Sequence, residues 1–136
     1  MDKFMKEAIK LSKKAALNGD VPVGAVLVEN GKIIAKSYNK KFKNKDVTAH
    51  AELLVIKSAC RKKKTTYLND CILYVTLEPC MMCTAAIEQA HIKKVIFCLK
   101  SPKYGYFIKN NTKIEYSEEY DSDYEYNLKE FFKDKR

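Results

Sequence analysis

Two short strings hold the residues with the clearest chemistry, His50-Ala51-Glu52 and Pro79-Cys80-Met81-Met82-Cys83. One imidazole and two thiolates make a three-ligand set suited to Zn²⁺. Three protein ligands leave the fourth tetrahedral position for water, which marks a catalytic rather than a structural site. Glu52 then supplies a carboxylate that is not needed as a ligand. A metal-activated water beside a free carboxylate can hydrolyse a substrate. Cys80 and Cys83 are i and i+3, so they share a face where they open a helix. The positive end of that helix favours their thiolate forms. His50 and Glu52 lie roughly 200° apart around an ideal helix. They reach one target only from a first turn that meets the site end-on. The spacing therefore predicts two helix N-termini converging on one metal.

The elements that must position these residues can be read from periodicity. Residues 2–17 read as an amphipathic helix with Phe4, Ala8, Leu11 and Ala15 on one stripe and Met5, Ile9 and Ala16 beside it; Asn18-Gly19 ends it. Residues 23–28 and 32–38 read as strands around Asn30-Gly31, a strong two-residue hairpin signal. A helix over 49–62 opens on the His50 string, with Thr48 as its expected cap. Residues 71–77 form a continuous apolar run, expected to be a buried central strand. A helix over 81–90 follows the cysteine string, with Met81 and Met82 expected to pack into the core at its start. Residues 94–99 read as the next buried strand. His91 is expected at the surface near a helix C-terminus.

After Leu99 the pattern changes. Residues 100–112 contain Pro102, Gly105 and Asn110-Asn111 and show no helical period. Residues 113–116 read as a short last strand. Because a parallel crossover needs about a dozen residues or more, this strand is expected to run antiparallel or not to form. Ser122-x-x-Glu125 reads as a capping box, with Tyr124, Leu128 and Phe131 on one face of the helix that follows. The element order predicts one α/β domain over residues 1–136, a mixed sheet between helices. Its metal would sit at the C-terminal ends of strands.

Composition sets further bounds. The chain has 136 residues and 46% hydrophobic content, enough for a real core. No stretch approaches the roughly 20 apolar residues that span a bilayer, and Met1-Asp2-Lys3-Phe4 lacks the layout of a signal peptide. A cytoplasmic protein is expected. Of five cysteines, the metal takes Cys80 and Cys83. Cys60, Cys71 and Cys98 lie in apolar surroundings and read as reduced core thiols. The net charge is +9, from 26 basic and 17 acidic residues, which suits a polyanionic partner. The basic residues are almost all Lys, however, a skew that an AT-rich genome also produces. Arg is the better bidentate phosphate ligand, so the charge is permissive for RNA without demanding it. The basic clusters are residues 40–45, 61–64 and 133–136.

The combined order H-x-E…P-C-x-x-C resembles the zinc nucleoside and nucleobase deaminases. Further strings resemble the bacterial tRNA-specific adenosine deaminases: Val21-Pro22-Val23-Gly24-Ala25-Val26, Ser37-Tyr38-Asn39, Asp46-Val47-Thr48-Ala49-His50-Ala51-Glu52, the run from Leu73 through Cys83, and Glu130-Phe131-Phe132. The likeness is good over residues 4–100 and loose in the last helix. It implies a cytidine-deaminase-like three-layer α/β/α fold with a mixed sheet of four to five strands. It also implies a homodimer, one Zn²⁺ per subunit and a tRNA anticodon loop as partner. The implied reaction is hydrolytic conversion of adenosine to inosine at the wobble position, A34. By the same resemblance His50, Cys80 and Cys83 match the zinc ligands and Glu52 the proton shuttle. Asn39 matches a residue that hydrogen-bonds the target nucleotide. Lys103 matches a basic residue of the substrate loop, and Phe131 and Phe132 an aromatic pair near the pocket. Two thiolates and a neutral imidazole leave the zinc centre formally neutral. It acidifies water less than three neutral His ligands would, so Glu52 should be essential as base.

The chain departs from the family after the fourth strand. Ser101 stands where an Asp is usual, Tyr106 and Phe107 replace small residues, and the segment is shorter. Tyr104, Tyr106 and Phe107 either stack on splayed bases or fill core space. The alternative function is a free-base or nucleoside deaminase acting on guanine, cytosine or cytidine. It would share the metal site and differ in this loop and in the tail.

Overall fold

The computed structural model describes residues 1–101, 105 and 113–134. Lys103 and the aromatics Tyr104, Tyr106 and Phe107 lie outside the described residues. One five-stranded mixed sheet organises the rest, in the order β2-β1-β3-β4-β5. Helix α1 (Lys3–Leu17) precedes the hairpin β1 (Gly24–Glu29) and β2 (Lys32–Tyr38). A four-residue helix α2 (Lys41–Asn44) leads into α3 (Ala51–Lys63). Then follow β3 (Cys71–Leu77), α4 (Met81–Gln89), β4 (Lys94–Leu99), β5 (Glu115–Glu118) and α5 (Ser122–Asp134). The expected mixed sheet between helices is present, with five strands.

Local chemistry explains these elements. Asp2 caps α1 by accepting from the Phe4 amide at 2.7 Å. The hairpin turns at Asn30 and Gly31, with φ 51° and 76°, the left-handed pair that a type I′ turn requires. β3 is apolar throughout because it is central, antiparallel to β1 and parallel to β4. On one face of the sheet, Val55 and Ala59 of α3 and Ile87 of α4 pack with Leu27, Leu73, Val75 and Phe97. On the other, Met5, Ala8 and Leu11 of α1 and Tyr124 and Leu128 of α5 pack with Val26, Val28 and Cys98. Ala8, Leu11 and Ala15 are buried as expected, while Met5 is fully buried in place of Phe4, which is half-buried. At Gly24 the helix meets the strand directly: an added Cβ would lie 2.0 Å from the Ala8 carbonyl oxygen.

Four expectations are corrected. β5 forms, and it pairs parallel to β4, Lys94 opposite Glu115. It starts at Glu115, two residues later than read, which gives the connection the length a parallel crossover needs. Thr48 does not cap α3; its hydroxyl and amide are taken by Asp46. The cap of α5 is Asp121, whose carboxylate accepts from the Tyr124 amide at 3.0 Å, one residue before the expected Ser122. Glu125 instead accepts from the Tyr120 hydroxyl. Met81 is 64% exposed rather than packed in the core.

Helix α5 is pinned by a buried relay. The Tyr124 hydroxyl donates to the Pro22 carbonyl at 2.7 Å and accepts from Thr76 Oγ1 at 3.0 Å. Thr76 Oγ1 in turn accepts from the Gly24 amide at 3.1 Å. Tyr124→Phe should strand the Pro22 carbonyl and lower stability by roughly 1–3 kcal/mol. The check is chemical denaturation, with the m-value unchanged.

Candidate metal centre

Each ligand-bearing string opens a helix. His50 is the N-cap of α3, Cys80 is the N-cap of α4, and Cys83 lies in the first turn of α4. Both N-termini lie near the C-terminal edge of β3, because α4 follows β3 directly and α3 follows the hairpin strand β2, whose partner β1 is antiparallel to β3. The Asn39 side chain fixes the first turn of α3. Its Oδ1 accepts from the Ala51 amide at 2.9 Å, and its Nδ2 donates to the Val21 carbonyl at 3.1 Å. Asn39 therefore does the capping expected of Thr48. It also borders the pocket beside the metal ligands, with one lone pair and one amide hydrogen left over from these two bonds. Asn39→Ala should leave the Ala51 amide without that acceptor and lower the melting temperature. A loss of about 1 kcal/mol corresponds to roughly 2–8 °C for a domain of this size. Scanning calorimetry checks it.

Among the described residues, one group of His, Cys, Asp and Glu could hold a metal: His50, Cys80 and Cys83, with ligand atoms within 4.8 Å of one another. Nδ1 of His50 lies 3.4 Å from Cys83 Sγ and 3.7 Å from Cys80 Sγ. Zinc bond lengths of about 2.3 Å to sulfur and 2.05 Å to nitrogen, at a tetrahedral angle, require an S···N separation of about 3.6 Å. The residues fit zinc, and Nδ1 is the ligating nitrogen.

The electrostatics are those of a buried, proton-sharing site. The hydrogen bond from the Cys83 thiol, opposed by burial and helped by His50, holds Cys80 down at about 4. That hydrogen bond and burial push Cys83 up. The hydrogen bond to Cys80 raises His50 against the pull of burial. Burial is the main cause that pushes the Glu52 carboxyl up to about 7, its own backbone amide opposing. Glu52 is 4% exposed, and a carboxyl with this affinity for a proton suits transfer near neutral pH. Cys71 and Cys98, by contrast, are buried away from the site, and burial pushes them to about 11 and about 12. They are inert thiols, and Cys60, also free, is half-buried.

The centre opens into a cavity of about 450 Å³ lined by His50, Glu52, Cys80, Asn39, Phe132 and others, a size typical of ligand pockets. Phe132 borders it, 47% exposed. Phe131 does not: it lies in a groove between α1 and α5, with Ser12, Lys13 and Pro22. Lys103 lies outside the described residues. Two pocket carboxylates escaped the sequence reading. Asp20, 1% exposed, accepts from the Phe42 and Lys43 amides at 2.7 and 3.3 Å. Glu78, 6% exposed, accepts from the Ser101 amide at 3.0 Å. Gly105 packs so closely on Glu78 that an added Cβ would lie 2.4 Å from its Oε1. An acid directly before Pro79-Cys80 and another directly before Val21-Pro22 were the available signals.

The sequence model of the cytidine and deoxycytidylate deaminase zinc-binding region matches residues 1–99. The chain is 51% identical over 102 residues to the tRNA-specific adenosine deaminase of Aquifex aeolicus, covering 75% of this chain and 68% of that protein. For the Bacillus subtilis protein of the same name, at 50% identity, the match spans 63% of its length. The fold superposes on a structure from work on A-to-I editing by tRNA:A34 deaminases, with TM-score 0.80 and 37% identity over 85% of this chain and 95% of that one. It also superposes on the guanine deaminase of Bacillus subtilis, with TM-score 0.70 and 29% identity over 98% and 95% of the two chains.

Proposed function

The chain belongs to the cytidine and deoxycytidylate deaminase zinc-binding family, and from that premise we propose that it converts adenosine to inosine at the wobble position of a tRNA anticodon loop. The observation that carries this reading is the composition of the pocket border. Behind it stand three zinc ligands and a buried Glu52. Among the described residues, its exposed lining includes Lys41, Phe42 and Phe132. A base splayed from a single-stranded loop needs a pocket whose border accepts a charged backbone. The kinship with proteins named tRNA-specific adenosine deaminase points the same way.

His50, Cys80 and Cys83 would hold the zinc, which supplies a polarised, more acidic water at neutral pH. The remaining steps belong to the chain. Glu52 takes a proton from the attacking water and passes it to N1 of adenine as oxygen adds at C6. It then takes the proton of the new C6 hydroxyl and delivers it to the departing amine, so ammonia leaves, the C6 carbonyl of inosine forms and the carboxylate is restored. Helix α3 holds Glu52 next to the ligand His50 from one rigid turn, and Asn39 fixes that turn. A homodimer belongs to the same reading, supported by the family resemblance. Light scattering at micromolar concentration checks that. No helix among the described residues is long and apolar enough to cross a membrane.

The substrate is tested by incubating the zinc-loaded protein with an anticodon stem-loop containing A34 and, separately, with guanine, cytosine, cytidine and adenosine. Inosine in the stem-loop is expected. Ammonia released only from a free base or nucleoside would establish the alternative reading instead.

A further inference from the structure

We propose that Phe42 is a stacking platform for a nucleotide adjacent to the one whose base enters the pocket, and that Asp20 is the residue that positions it; this rests on the RNA reading above. Phe42 sits on α2 among Lys41, Lys43 and Asn44, and the residue is 60% exposed. A single exposed ring is by itself unremarkable. Three further observations give it a role. First, it borders the same pocket as His50, Glu52 and Cys80. Second, Asp20 spends a buried carboxylate on the backbone of this turn, accepting from the Phe42 amide at 2.7 Å and the Lys43 amide at 3.3 Å. Burying a charge is costly unless it is hydrogen-bonded, and what this one secures is the turn that carries the ring. A turn held in place before binding leaves less backbone entropy to lose when a base stacks on the ring it carries. Third, the surroundings suit a polyanion. Lys40, Lys41, Lys43 and Lys45 share the turn, with the Lys40 ammonium 4.8 Å above the Tyr38 ring.

Phe132 borders the pocket as well. Among the described residues, the pocket lining thus includes two exposed rings beside the residues that hold the chemistry. This is the arrangement that single-stranded RNA uses, with one base inserted and its neighbours stacked on aromatics. A free base inside the cavity would have no use for Phe42.

The test is steady-state kinetics on the A34 stem-loop for the wild type and for Phe42→Ala, Phe42→Leu and Phe42→Trp, with melting temperature and zinc content recorded for each. Ala and Leu should each raise KM by roughly 5- to 150-fold, the cost of one lost base stack, with kcat within about twofold. Trp, which also offers a π-face, should keep KM within about threefold of wild type. Asp20→Ala should raise KM in the same way, and combined with Phe42→Ala should add little, because both act through one ring. A Leu variant with wild-type KM, or a Trp variant as weak as Ala, would overturn the platform. Full additivity of the two Ala variants would overturn the positioning role of Asp20. If the wild type makes inosine in the stem-loop and the Phe42 variants match it, the inference alone fails. If the wild type makes none, the RNA reading fails and takes the inference with it.

Discussion

Replacing Glu52 by Ala leaves the zinc bound and lowers kcat on the stem-loop by at least roughly 10²–10⁴-fold, the usual worth of a general acid–base. The metal is retained because His50, Cys80 and Cys83 are untouched and already stand at zinc-like separations. The loss is large because no neighbour can take over. The other carboxylates that line the pocket are Asp20 and Glu78. Asp20 is engaged by the Phe42 and Lys43 amides, and Glu78 by the Ser101 amide. Glu52→Gln keeps the shape of the side chain and removes its basicity, so it should lose as much. Zinc content by atomic emission and single-turnover rates on the same preparations separate the two effects. Near-normal turnover in either variant would show that Glu52 is not the proton carrier.

The second large effect concerns the metal itself. Cys83→Ser should weaken zinc binding by more than about 100-fold, since losing even an outer-shell partner costs 10–100-fold. Turnover should vanish with it. Zinc stabilises the fold by mass action, by about 4 kcal/mol when free zinc is 1,000 times its Kd. A chelator should therefore lower the melting temperature of the wild type and move that of Cys83→Ser much less. Cys60→Ser is the control. Its thiol is half-buried and outside the metal cluster, so zinc content should stay at one ion per chain. Full zinc occupancy in Cys83→Ser would remove the centre from the account.

The sequence was most legible where structure depends on neighbours along the chain. The apolar runs 71–77 and 94–99 coincide with β3 and β4, because central parallel strands are apolar on both faces. Asn30-Gly31 turns the hairpin because few other residue pairs tolerate two positive φ angles. The metal site was legible for a similar reason, since its four residues lie in two short strings whose spacing carries the geometry. What escaped depends on contacts across the chain. Asn39 caps α3 from twelve residues away, so local pattern favoured Thr48. Asp20 meets α2 across 22 residues, and Glu78 meets Ser101 across 23. No periodicity marks a buried carboxylate of that kind. Ser122 resembled a cap because Ser and Asp both serve at that position, and Asp121 stands next to it. The direction of β5 depended on where its first residue fell, and strand boundaries are poorly marked at an exposed edge such as Glu115–Glu118.

The most direct measurement is the mass of the anticodon nucleotide after incubation of the stem-loop with the zinc-loaded protein in water labelled with heavy oxygen. The account predicts inosine at position 34 carrying one labelled oxygen at C6, with one ammonia released per inosine. Unchanged adenosine, or inosine without the label, would contradict it.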